Sequence, residues 1–456
     1  ECHLISDYSR CVTGGRANIH FENREAANLL IKQLSLANST QDENYLSVIS
    51  ELEQNPSFAN MANGLLIIHR YFKPRNSLDL SLLYYFLLNK VFVVYMATDN
   101  FTDAFRLFSV LNDRGLPLSA TDVIKSRILS EIRQNGEREK YARVWSQAES
   151  DIGLERLKNV LEYLRMVALR ERPKNSIITD FERTIYKEGT GITRGVGIMD
   201  KIKAYIDIYR DFYYEPTEFF RETTPDLVGY MNVMKYGLAE EEWLPVVMAW
   251  YDKFGKDSIF LFLQLLDKKL AADWISGVSR YERAQFTYNL LRGIHDFDQA
   301  ETILNDKQLF KINLDKLENA LRENMYGKLY TKYLLLKIEY IARDNSTPFD
   351  DFEEVTIDHI LPQNPYEWSA VFGEEDYQQW LHKLGNLVLV NRKEDYILRS
   401  KSFEEKKQNY YAGSEMIYPS VQEIMYQPTW TANTISERQE KLVTILLRHF
   451  GKGIEY

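Results

Sequence analysis

The sequence predicts a mainly α protein, a series of helical domains with one small strand, strand, helix motif near its C-terminal end. Three observations predict it. Apolar residues recur at spacings of three and four, as in Leu329, Tyr333, Leu336 and Tyr340 with Lys332, Lys337 and Glu339 between them, the pattern of a helix that buries one face. Similar patterns fill residues 141–335. Stretches dense in β-branched and aromatic residues are few: Val91 to Met96, Val355 to Ile360 and Leu387 to Val390. Finally, 456 residues at 45% hydrophobic and 13% aromatic supply packed cores for more than one domain, since a single core rarely grows past about 250–300 residues.

In chain order, a first region carries the strand expected at Val91 to Met96 and closes at the polar Gln134-Asn135-Gly136-Glu137. Within it, a helix ends near Leu111, the chain turns at Asn112-Asp113-Arg114-Gly115, and a new helix begins at Ser119, with Asp122 placed to complete a capping box. By pattern alone this is an ordinary helix-turn-helix connection. A helical middle follows, interrupted by the glycine-rich stretch 188–197. That stretch lacks the Gly-Lys-Ser/Thr ending of a phosphate-binding loop and has no preceding strand, so it reads as a flexible surface loop. Asp344-Asn345-Ser346-Thr347-Pro348 separates the middle from the rest. The expected domains are therefore 1–135, 136–343 and 344–456, without internal repeats or low-complexity tracts.

Charge and cysteine content narrow the function classes. With 56 Lys plus Arg against 66 Asp plus Glu the net charge is −10, which argues against a packaging protein that neutralises phosphates over its whole surface but leaves room for a local basic site. Cys2 and Cys11 are the only cysteines, which rules out a disulfide framework and a four-cysteine zinc site and fits a reducing cytoplasm. No apolar run approaches the roughly 20 residues that span a bilayer, so no membrane partner is expected. The first residue is Glu1 and not Met; the chain reads as a piece of a longer one.

The last region concentrates the chemistry. Val355-Thr356-Ile357-Asp358-His359-Ile360-Leu361-Pro362-Gln363 is a short strand ending at a proline, Leu384-Gly385-Asn386-Leu387-Val388-Leu389-Val390 leads into a second, and Ser402 with Glu405 caps a helix expected to run to about Tyr411. Strand, strand, helix is the outline of a ββα-metal nuclease site. Phosphodiester hydrolysis needs an activated water and a cation near the phosphate, because displacement places negative charge on the phosphoryl and leaving oxygens. A neutral imidazole suits the first task, which makes His359 the candidate base. Carboxylate oxygens suit Mg²⁺ or Mn²⁺, which makes Asp358 and Asp395 the candidate ligands. Asn386 is placed to hydrogen-bond the backbone across the loop and hold His359 in position. In an ideal strand Asp358 and His359 point to opposite faces, so they share one site only if the strand ends or twists there. Lys383, Arg392, Lys393, Arg399, Lys401, Lys406 and Lys407 cluster around the helix and are read as a phosphate-contacting face, the ordinary alternative being a solvated helix surface. His69, His295 and His449 are expected to be structural, and His382 a candidate substrate contact. Trp368 and Trp380 are expected to anchor the core.

Two blocks resemble one family. Phe108, Leu111 to Leu118 and Asp122 to Lys125 resemble the end of the ParB-like N-terminal domain of GmrSD-type modification-dependent restriction systems. Asp358-His359, Pro362-Gln363, Gly385-Asn386-Leu387 and Phe403 with Lys406 resemble the HNH domain that ends those proteins. Asp395 departs from the family's usual asparagine. The resemblance implies an HNH-type endonuclease that cuts DNA, modified DNA in particular, with a divalent cation, in defence against foreign DNA. It also implies nucleotide dependence only where the Asp-Gly-Gln-Gln-Arg segment of the ParB-like domain exists, and this sequence lacks it. A homo-oligomer or a partner subunit stays open. Two rival readings are a DNA-binding or sensor protein with an inactive HNH fold, and an RNA-cutting toxin.

Overall fold

The computed structural model describes residues 62–64, 66–68, 70–71, 77–92, 119–187, 189–216, 225–238, 241–343, 355–363, 372–391, 401–408 and 418–452. They fall into two compact units, Glu1–Leu161 with Asn175–Lys203, and Glu162–Lys174 with Ala204–Tyr456. These borders differ from the sequence breaks at 135 and 344. Among the described residues helix dominates, and the sheet has two strands. No described helix is long and apolar enough to cross a membrane.

In the first unit, the helix Ala120–Ser130 starts as its sequence predicts. The Ser119 hydroxyl accepts from the Asp122 backbone N–H, and the Asp122 carboxylate accepts from the Ser119 backbone in return, satisfying two donors that a helix start otherwise leaves unpaired. The next helix, Asn135–Ile152, buries Tyr141, Ala142, Trp145, Ala148 and Ile152 on one face, and Lys125 reaches across to Glu149 at 3.2 Å. Two expectations change here. The residues predicted to begin a buried strand, Val91 and Phe92, are exposed and outside regular structure, because the apolar run before them is taken up by the helix Ser77–Lys90; residues 93–96 lie outside those described. The glycine-rich loop does not swing free. Arg194 pairs with Glu131 at 2.7 Å and stacks 4.3 Å from the Tyr186 ring. Gly195, at φ 68°, brings the loop so close that a Cβ there would lie 3.3 Å from the Glu131 carbonyl oxygen, a left-handed turn that suits glycine. The helix-turn-helix connection read in 105–118 lies outside the described residues.

In the second unit one hydrophobic core draws residues from both sides of position 344. Val233, Ala271, Leu317, Tyr333 and Leu336 pack in the same cluster as Leu361, Leu387, Val388, Trp430, Leu442 and Leu446. The helix Thr331–Ala342 runs through this core and is buried on more than the one face that periodicity predicts. Lys337 and Glu339, expected on its outer face, are fully buried, and Leu329, expected on its inner face, lies before the helix and is exposed. Burying a charge is costly unless it is paired, and both are paired. Lys337 donates to Asp267 at 2.8 Å, and the same carboxylate accepts from the Tyr230 and Tyr333 hydroxyls at 2.6 and 2.8 Å. Glu339 accepts from the Ser420 backbone N–H at 3.0 Å and from the Ser420 hydroxyl.

Glu339 makes stability depend on pH. Burial pushes its carboxyl up to about 7, against the hydrogen bonds from Ser420, which lower it. Below about 4.5, the ordinary value, folded and unfolded chains both hold the proton. Between there and about 7 only the folded chain holds it, so stability falls as pH rises through that window and stays lower above it. The Glu339→Gln variant should therefore be more stable than wild type at pH 8, by on the order of 3 kcal/mol, with the difference closing toward pH 4.5. Urea unfolding midpoints across that range measure it; parallel curves would contradict it.

The sheet is antiparallel. Strand β1, Val355–His359, pairs with β2, Leu387–Asn391, in the register that sets Asp358 opposite Val388 and His359 opposite Leu387. The long helix Ala432–Phe450 lies against the turn that enters β2. A Cβ on Gly385 would stand 2.5 Å from the Ile435 carbonyl oxygen and 2.9 Å from the Gln439 backbone nitrogen, so only glycine allows the two backbones this approach. Gln439 and Arg438 then bond the turn itself, through the Gly385 N–H at 2.7 Å and the Gly385 and Leu387 carbonyls at 2.7 and 3.1 Å.

Candidate active site

β1 ends at His359, and the segment after it is held by Asn386. This asparagine is fully buried, and its side-chain amide satisfies the backbone on both sides of a gap. Its oxygen accepts from the Leu361 N–H at 2.8 Å and from the Trp430 indole at 3.1 Å; its nitrogen donates to the Leu361 and Leu381 carbonyls at 3.1 and 2.8 Å. The Asn386 carbonyl accepts from Ile360 N–H at 2.9 Å. An amide of this size donates twice and accepts twice, which matches the four bonds made here. Tyr377 adds a hydroxyl bond to the Pro362 carbonyl at 2.9 Å. The chain leaving β1 is therefore rigid where it carries the histidine.

His359 is 5% exposed. Its Nε2 lies 3.2 Å from Nδ1 of His382, and the Tyr326 ring packs 4.1 Å from its own, between centroids. Nδ1 of His359 has no hydrogen-bond partner among the described residues, yet it is not among the fully enclosed unpartnered atoms, which leaves it open to a water. Burial, then the neighbouring His382, then the Lys406 ammonium push its imidazole down to about 3, so the ring is neutral at cellular pH. Burial also lowers His382.

Asp358 and His359 take different partners. The Asp358 carboxylate accepts from Lys406 at 2.9 Å, with the lysine side chain fully buried and the aspartate side chain 5% exposed. The same ammonium donates to the His359 carbonyl. Strand alternation is thus kept, and the side chains of the two neighbours do not meet. Lys406 comes from the helix Phe403–Lys406, started by the expected capping box of Ser402 and Glu405.

This corrects the reading of Lys406 as a phosphate contact. Its neighbour Lys407 is also turned in: the side chain is 13% exposed, pairs with Glu404 at 2.9 Å and donates to the Gln427 carbonyl at 3.1 Å. Lys383 is half-buried and donates to the Arg322 carbonyl at 2.6 Å. Lys401 is exposed, 3.3 Å from Glu405. Arg392, Lys393, Arg399 and the candidate ligand Asp395 lie outside the described residues, as do Trp368 and His69. Among the described residues no three His, Cys, Asp or Glu side chains converge as a metal site. Trp380 is partly buried against the core, and His449 is half-buried with its ring against Tyr230 and Phe450.

Three participants were not assigned from the sequence: the pairing role of His382, the Tyr326 ring, and the Lys406 ion pair. The Lys406 partnership could have been suspected only from the resemblance, whose pattern includes Phe403 and Lys406 as well as Asp358. Nothing in the residues around Tyr326 marks it.

Residues 296–445, about a third of the chain, match the family model described as GmrSD restriction endonucleases, C-terminal domain. The matched segment contains both strands, Asn386, His359, His382, Tyr326 and Lys406. A search of curated proteins returns no match.

Proposed function

We propose that the chain is a metal-dependent DNA endonuclease of HNH type, acting in a modification-dependent restriction system in the cytoplasm. One observation carries the reading: a neutral, nearly buried histidine at a strand end, braced by Asn386, keeps one ring nitrogen open to water within the segment that resembles restriction endonucleases. In this reading Nδ1 of His359 takes a proton from water as its oxygen attacks phosphorus and the bond to the leaving 3′ oxygen breaks. The low proton affinity of the free site rises when an anionic phosphodiester comes near, since negative charge favours the imidazolium.

Asp358 and Asp395 are the proposed holders of Mg²⁺ or Mn²⁺. The donor chemistry fits, because both are hard oxygen ligands. The cation would neutralise charge on the phosphoryl oxygens. Asp358 already has a compensating charge in Lys406, so loading the site means sharing that carboxylate between ammonium and metal. The same ion pair favours the rival, a non-cleaving DNA-binding or sensor protein in which Lys406 stands permanently where a metal would act.

Supercoiled plasmid separates the two. Nicking that requires Mg²⁺ or Mn²⁺ and stops with a chelator is the expected outcome, stronger on DNA with modified bases than on plain DNA. No nicking under any of these conditions overturns the enzyme reading, and faster cutting of RNA than of DNA overturns the DNA assignment. Adding nucleoside triphosphate to the same assay tests the ParB-like reading of residues 105–125 and its nucleotide dependence.

A further inference from the structure

We propose that His382 is a positioning residue that fixes the tautomer of His359, so that the proton sits on Nε2 and the lone pair on Nδ1 faces water; this rests on the nuclease reading of His359. Two neutral histidines joined through Nε2 of one and Nδ1 of the other, at 3.2 Å, share a single hydrogen. If His382 Nδ1 donated it, His359 would carry its own proton on Nδ1 and have no lone pair left for water. If His359 Nε2 donates, Nδ1 is a base. Only the second arrangement lets this histidine accept a proton, and it requires His382 to hold its own proton on Nε2.

The surroundings hold the pair in register. The His382 carbonyl accepts from the Met325 and Tyr326 backbone N–H groups at 2.7 and 3.2 Å, tying its backbone to the loop that supplies the Tyr326 ring. That ring lies nearly parallel to His382, 12° between planes and 5.5 Å between centroids. It also packs tilted against His359. One tyrosine ring thus contacts both imidazoles. Nε2 of His382 has no partner among the described residues and is not fully enclosed, so water can accept its proton. A residue that orients a functional histidine through its second nitrogen commonly sets which nitrogen is free to act.

The test uses the full chain with ¹⁵N-labelled histidine. Long-range proton–nitrogen correlation spectra near neutral pH report which ring nitrogen of each of the seven histidines is protonated, and the His359→Gln spectrum assigns the signals of His359. Wild type should show His359 protonated on Nε2. His382→Leu should turn this into a mixture of tautomers and lower kcat for plasmid nicking roughly 10- to 100-fold with KM little changed, the scale on which loss of an orienting partner acts. His382→Asn, whose amide oxygen can stand near the position of Nδ1, should restore the tautomer and most of the rate. Protonation of His359 on Nδ1 in wild type, or an unchanged spectrum in His382→Leu, overturns the inference. A wild type that shows the expected tautomer but nicks no DNA overturns the nuclease reading instead.

Discussion

His359→Ala should lower plasmid nicking by roughly 10²- to 10⁴-fold, the range that a positioned general base contributes. The loss should appear in kcat, because in the proposed mechanism the imidazole acts on the water in the transition state and not on the bound duplex. DNA affinity should change little. The substitution also empties space beside Tyr326, so a urea midpoint has to accompany the kinetics; a modest drop of about 1–2 kcal/mol, typical of a single buried truncation, is compatible with the prediction. A variant that nicks at the wild-type rate would remove the histidine from the mechanism and leave the sensor reading standing.

Lys406→Met should be strongly destabilising, by about 3–5 kcal/mol, because it removes the Lys406 ammonium from the buried Asp358 carboxylate. Methionine keeps much of the side-chain volume, so the loss reports the missing ammonium and its bonds to Asp358 and to the His359 carbonyl. A second variant keeps the outcome interpretable. In the double variant Asp358→Asn with Lys406→Met the buried charge is gone, and most of the stability should return, the coupling between the two sites showing as non-additivity. Additive losses would mean that the ion pair contributes nothing as a pair.

The parts of the fold set by local chemistry were legible from the sequence. Capping at Ser119 and Ser402 needs partners only three residues on, and the apolar runs around Val355 and Leu387 need only a strand's local preferences. Asn386 was legible for a related reason: it sits in a Gly-Asn-Leu turn whose small glycine and buried leucine leave an amide facing backbone. What stayed hidden depends on partners far along the chain. Lys337 looked like a solvated helix face, and its partner Asp267 is 70 residues away; Glu339 finds Ser420 at a separation of 81. Around the helix Phe403–Lys406, no local signal says that Lys406 turns inward to a carboxylate 48 residues back while Lys401 stays exposed. His382 could be placed near the site by its closeness to the turn, but its bond to His359 depends on how β1 and the turn approach each other in space.

The common core on both sides of position 344 has a meaning for inheritance. The segment bearing His359 and Asn386 is not a cassette: its leucines and valines belong to one buried cluster with Val233, Ala271, Ala272 and Ile275, which lie before both the loop at 344 and the start of the family match at 296, and the helix Thr331–Ala342 joins the two groups. Recombination at either point would separate the hairpin from part of the core it shares. The hairpin could be moved to another chain as a folded unit only with the helical platform, so the platform and the hairpin should share one history of descent.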